Sequence, residues 1–165
     1  TTWSKVSGPG TVTFANANET ITTATFSEAG NYVLRLTAGD TDLTTSDEIT
    51  VAVIPENHAP TVNAGADQSI ALPNTASLNG SSSDDALPAG STLTTTWSKV
   101  SGPGTVTFAN ANAAITTAGF SEAGSYVLRL TANDSQLNGS DDVQVNVNPP
   151  NEPPTVWSAR SVIGL

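Results

Sequence analysis

Few side chains in this chain could do chemistry, and most of those that could are carboxylates. Asp84 and Asp85 are adjacent in the polar run Gly80-Ser-Ser-Ser-Asp-Asp-Ala-Leu-Pro-Ala-Gly90. Asp134 lies in Asn133-Asp-Ser-Gln136, and Asn57 opens the stretch Asn57-His-Ala-Pro60. Carboxylate and amide oxygens are what a hard cation takes, about six to eight of them at roughly 2.3–2.6 Å. Asn57, Asp84, Asp85 and Asp134 are therefore a candidate calcium site if the fold brings their three segments to one end. The competing reading is a solvated acidic loop.

Other chemistry fails on spacing. His58 is the sole histidine, and the second copy of its segment carries Glu152 in its place, so no Ser-His-Asp arrangement can recur in both copies. Glycoside hydrolysis needs two acids opposed across a cleft about 5–9.5 Å wide, which neighbours in one loop do not provide. No phosphate loop or metal-hydrolase motif is present. Asp141-Asp142 reads as a charged strand edge that resists aggregation. Lys5 and Lys99 share the parity of nearby tryptophans. A Lys–Asn crosslink is one use for such a residue, and a stem lying along a strand end is the other. Asn18, Asn79, Asn133 and Asn138 head N-x-Ser/Thr sequons, which matter only in a source that glycosylates.

These residues sit on a tandem repeat. Trp3–Asn18 returns unchanged as Trp97–Asn112, and aligning residues 1–62 with 95–156 gives 45 identities in 62 positions. The offset, 97 − 3 = 94, is too long for a solenoid unit and suits a β domain of about 100 residues. Thr, Ser, Asn, Gly and Val dominate, as in strands joined by polar turns. Fifteen acidic against five basic residues exclude a nucleic-acid role, which needs basic patches, and disfavour an anionic membrane surface. There is no Cys, hence no disulfide framework, and no apolar run of about 18 residues to insert in a membrane. The lack of Met is expected of a processed chain or a fragment.

The second copy is the more complete. Its pattern predicts a broken first strand (61–63, then 68–72), a strand at Ala76–Asn79, a long loop at 80–90, and a strand whose Leu93, Thr95 and Trp97 share one face. Short strands follow at 106–108 and 115–120. Ser125–Ala132 alternates clearly, with Tyr126, Leu128, Leu130 and Ala132 on one side, and Val143, Val145 and Val147 end the series. About seven short strands between turns describe a two-sheet sandwich. Trp3 and Trp97 are expected in the cores, and Tyr32 and Tyr126 at tyrosine corners.

Pro60-Thr-Val-Asn-Ala-Gly-Ala-Asp-Gln68, Leu78-Asn-Gly80, Trp97-Ser-Lys-Val-Ser-Gly-Pro-Gly104, Phe120–Leu130 and Asn133-Asp134 together resemble a PKD domain, of the Trp-x-x-x-Ser-Gly-Pro-Gly subtype found in surface-protein arrays. The resemblance runs to Val156. It implies an all-β fold of tandem immunoglobulin-like sandwiches, an extracellular or cell-surface location and a spacer, adhesion or binding role without catalysis. In some members it also implies calcium near the incoming linker. The family's common Asp-Gly pair is replaced here by Asp84-Asp85-Ala86.

The expected organisation is 1–54 as the C-terminal part of a first repeat lacking its first two strands, 55–60 as linker, 61–148 as a complete repeat, and 149–165 as a Pro-rich linker with an apolar terminal strand. An open first repeat exposes an apolar face and strand edges that something should cover. The chain is either a trimmed piece of a longer array or a subunit whose tail completes its neighbour, with Trp157, Val162, Ile163 and Leu165 as assembly residues. The 13-residue tail from Pro153 could replace one missing strand at most. The expected function is a structural or adhesion module, with neighbouring copies, flanking repeats, or a surface polysaccharide or protein as partner. The alternative is an accessory binding module of a secreted hydrolase.

Overall fold

The structure, a computed structural model, describes residues 1–153. It divides into two compact units at Glu56/Asn57. The described residues form strands and connections only.

Unit 1 contains β1 (Thr2–Ser7), β2 (Val12–Phe14), β3 (Ala24–Phe26), β4 (Gly30–Gly39) and β5 (Thr44–Val53). They pair as a sheet β1-β4-β5 and a ribbon β2-β3. Unit 2 contains β6 (Thr61–Asn63), β7 (Gln68–Ala71), β8 (Ala76–Asn79), β9 (Ser81–Ser83), β10 (Thr94–Ser101), β11 (Val106–Phe108), β12 (Ile115–Phe120), β13 (Gly124–Asn133) and β14 (Asn138–Asn148). Its sheets are β10-β13-β14-β7 and β11-β12-β8, with β6-β9 as a short ribbon. All pairs are antiparallel except β14 with β7. The expected loop at 80–90 thus contains a strand, β9, because Ser81–Ser83 pairs with β6.

Period-two alternation decides what is buried. Along β13, Tyr126, Leu128, Leu130 and Ala132 are each 0% exposed, and Val143, Val145 and Val147 on β14 are at most 4% exposed. Each such side chain contributes roughly 1.5–3 kcal/mol by leaving water, less for Ala. On the outer face Arg129 pairs across the strands with Asp142 at 2.7 and 2.9 Å. Trp97 lies between the sheets, 2% exposed, with Phe108 stacked at 6.5 Å and its indole N–H donating to the Ala114 carbonyl at 3.1 Å.

The tyrosine corners form as expected. The Tyr126 hydroxyl donates to the Glu122 carbonyl at 2.8 Å, and Tyr32 to that of Glu28 at 2.7 Å. The Ser-Gly-Pro-Gly turn folds over the ring. Gly102 has φ +126°, and a Cβ there would run into Tyr126 Cδ1. Lys99 donates to the carbonyls of Pro103 and Gly104 at 3.4 and 2.6 Å, and its ammonium stands 5.6 Å from the Tyr126 ring centre. Lys5 does the same in unit 1. Both lysines thus cap a turn.

Trp3 departs from its expected burial. It is only partly buried, because nothing in unit 1 corresponds to β6–β9.

Candidate functional site

Two places in the structure could bind something. The first is the end of unit 2 where the linker arrives. The pairing Thr61↔Ser83 delivers Asp84 and Asp85 beside residues 57–60, and Thr94↔Asn133 delivers Asp134 to the same end. Asn57 Nδ2 donates to Asp134 Oδ2 at 3.0 Å and to Gln136 Oε1 at 3.3 Å. Asp134, 0% exposed, accepts the Gln136 and Leu137 amides on Oδ1 at 2.7 and 2.6 Å. The Leu137 amide does most to hold its carboxyl below the usual range, helped by Gln136 and Asn57 and opposed by burial.

Asp85 turns to other partners. Its Oδ2 accepts the His58 amide and faces His58 Nδ1, both at 3.1 Å, and its Oδ1 accepts the Leu87 amide at 3.0 Å. Burial pushes its pKa up most strongly, but the bonds from His58 and Leu87 outweigh it and the net shift is downward. Of the four expected cation ligands, then, Asn57 and Asp134 meet each other, Asp85 holds His58, and Asp84 leaves Oδ1 buried without a partner, as does Asn57. Among the described residues no group of three or more His, Cys, Asp and Glu is arranged to hold a metal ion. What these side chains visibly do is fasten the linker to unit 2. Asp141, read from sequence as an edge charge, instead accepts the Ala64 amide at 2.9 Å and holds the chain between β6 and β7.

The pairings of His58 with Asp85 and of Gln136 with Asn57 escaped the sequence reading, because these partners lie 27 and 79 residues apart. One signal for Asp134 was legible. Asp40, its counterpart at 134 − 94, accepts the amides of Asp42 and Leu43 at 2.9 and 2.8 Å, closing the same turn in unit 1.

The second place is the open side of unit 1. Trp3, Phe14, Thr22, Ala24, Phe26, Leu34, Ile49 and Val51 line an apolar groove of about 190 Å³. Its counterparts Trp97, Phe108, Ala118, Phe120, Leu128, Val143 and Val145 in unit 2 are covered by Ala64, Ala76 and Leu78, themselves at most 1% exposed, with Ile70 and Leu72 packed alongside. Beside the groove, β5 pairs with β4 alone among the described residues, whereas β14 also carries β7 along Val145–Asn148. The expected assembly residues Trp157, Val162, Ile163 and Leu165 lie outside the described residues.

Comparison with known proteins finds relatives over parts of this chain. The chain is 38% identical over 86 residues to the human (Homo sapiens) Dyslexia-associated protein KIAA0319, a match covering 50% of this chain and 8% of that protein. Its Rattus norvegicus homolog is 37% identical over 86 residues, with the same coverage. Among solved structures, the PKD domain from KIAA 1837 protein superposes with a TM-score of 0.47 at 30% identity, over 62% of this chain and 99% of that one. The family model described as K319L-like, PKD domain, matches residues 1–53 and 64–147. Those two spans take in both repeats with their tryptophans, turns and tyrosine corners, and the chain belongs to the K319L-like PKD domain family.

Proposed function

We propose that this chain is a non-catalytic structural module of an extracellular or cell-surface protein, in which sandwich units space and join neighbouring elements. The observation that carries this reading is the open face of unit 1. An apolar groove lined by Trp3, Phe14 and Leu34, beside a strand edge left without a neighbour among the described residues, suits completion by another strand better than a small substrate. Family membership and an acidic chain support it. The partner is a neighbouring copy of the chain or a flanking repeat.

Light scattering and negative-stain images of the purified chain over a range of concentrations test this. Association that grows with concentration, into elongated particles, is expected. A monomer at every concentration would remove assembly and leave only spacing.

The buried Oδ1 atoms of Asn57 and Asp84 favour a second, compatible reading, in which a calcium ion at the linker end takes these two oxygens. Extracellular calcium modules bind at about 10⁻⁴–10⁻³ M. Calorimetric titration should therefore show a weak site that Asp84→Asn weakens. No heat at millimolar calcium would remove the ion from the account.

A further inference from the structure

Unit 2 carries a template for what closes the groove of unit 1. Of the eight residues lining that groove, seven are identical to their counterparts 94 positions on, and the eighth, Ile49, differs from Val143 by one carbon. In unit 2 the same surface is closed by one continuous stretch, Gln68–Asn79. Its β7 runs parallel to the end of β14, and the chain then turns through the Asn74 amide, which donates to the Ala71 carbonyl at 2.9 Å. Its β8 runs antiparallel to β12, with Ala76, Ser77, Leu78 and Asn79 opposite Ala118, Thr117, Thr116 and Ile115. Ala76 and Leu78 are 0% exposed, and Ile70 and Leu72 pack alongside. The edge that receives β8, Ile115-Thr-Thr-Ala118, is repeated without change as Ile21-Thr-Thr-Ala24.

We propose that unit 1 is closed by a segment of this β7–β8 kind, supplied by a flanking repeat. Its signature is Ile-x-Leu, a tight turn, then Ala-x-Leu. In the register of unit 2 the equivalent of Ala76 stands opposite Ala24, that of Ser77 opposite Thr23 and that of Leu78 opposite Thr22, so that its leucine enters the groove. This rests on the reading above that another strand completes unit 1, and it names the strand pair.

Two differences between the units confine the fit. At the start of β5, Thr45 stands where unit 2 has Gly139, and a Cβ on Gly139 would collide with the Pro60 carbonyl. The linker before β6 therefore finds no equivalent seat. At the end of β5, Ile54 stands where Asn148 donates to the Ser69 hydroxyl and the Ile70 carbonyl, both at 3.1 Å. The match is thus closest along β8. A second copy is the poorer donor. Among the described residues each copy holds one such segment and two surfaces that take it, and the segment already closes unit 2. A copy that gave it up would open its own core around Trp97 and Leu128, so the exchange gains nothing.

Because the chain has no cysteine, disulfide trapping tests this directly. A synthetic peptide of residues 66–80 carrying Ser77→Cys is mixed under mild oxidation with the full chain carrying Thr23→Cys and, in parallel, with the full chain carrying Thr117→Cys. Opposed residues of antiparallel strands have Cα atoms about 4.5–5.5 Å apart, within the span of a disulfide. The expected result is a peptide adduct at Thr23→Cys, little at Thr117→Cys, where the chain's own β8 is seated, and loss of the adduct when the peptide also carries Leu78→Asp. Equal adducts at both positions, or an adduct that survives Leu78→Asp, overturn the proposal. If the unmodified chain associates in light scattering and the peptide forms no adduct, this segment is overturned and assembly stands. If neither occurs, both readings fall. A crosslink between a Thr23→Cys chain and a full-length Ser77→Cys chain, formed as readily as with the peptide, overturns the flanking repeat as the source in favour of a second copy.

Discussion

At the scale of single residues, the hydrogen bonds that matter are those closing turns and fastening the linker. Tyr126 is 0% exposed, and its hydroxyl holds the Glu122 carbonyl. Tyr126→Phe keeps the packing and orphans that carbonyl, so unit 2 should lose about 1 kcal/mol in urea denaturation. Asp134 gives a pH dependence whose sign follows from its lowered pKa. The depressed carboxyl contributes stability fully present above its ordinary value, near 3.9, and lost as pH falls through the lower folded value. Asp40 has the same shift from the Leu43 and Asp42 amides. Urea midpoints for unit 2 should therefore drop below about pH 4. Asp134→Asn should lower the midpoint at pH 7 and flatten that dependence. The tyrosine corner was legible in the sequence, because Gly-x-Tyr opens a clearly alternating strand. The link between His58 and Asp85 was not, since no local pattern joins residues 27 apart.

At the scale of elements, β8 separates the two units. Ala76 and Leu78 are 0% exposed in unit 2, where β8 pairs with β12. Leu78→Ala should cost unit 2 about 2–5 kcal/mol by the transfer and cavity terms. It should leave unit 1 unchanged, which a two-transition denaturation curve resolves. The strand β8 supports shows the dependence directly. Ile115-Thr-Thr-Ala118 belongs to β12, paired residue by residue with Asn79 to Ala76. The identical Ile21-Thr-Thr-Ala24 enters a strand only at Ala24.

For the whole molecule, the contrast between a covered and an open sandwich predicts unequal stability. Hydrophobic burial is the main favourable term, and unit 1 lacks the layer that seals Trp97 and Leu128 in unit 2. Dilute chain should unfold in two steps. Amides of β4 should exchange with solvent faster than those of β13, by hydrogen exchange read by mass spectrometry. If copies associate as proposed, the gap should narrow with concentration, because a partner that binds only the folded unit stabilises it by mass action.

The sequence by itself determined the repeat, the succession of most strands along it and the face to which each strand's side chains point. Those follow from a period of two, from turn residues and from near-identity at a fixed offset, all local or self-referential signals. Only the tertiary structure decided whether a given stretch realises its pattern. Trp3 and Trp97 sit in identical sixteen-residue blocks, yet one is half-open and the other 2% exposed. A strand needs a neighbour for its backbone and a facing layer for its side chains, and both come from residues remote in the chain.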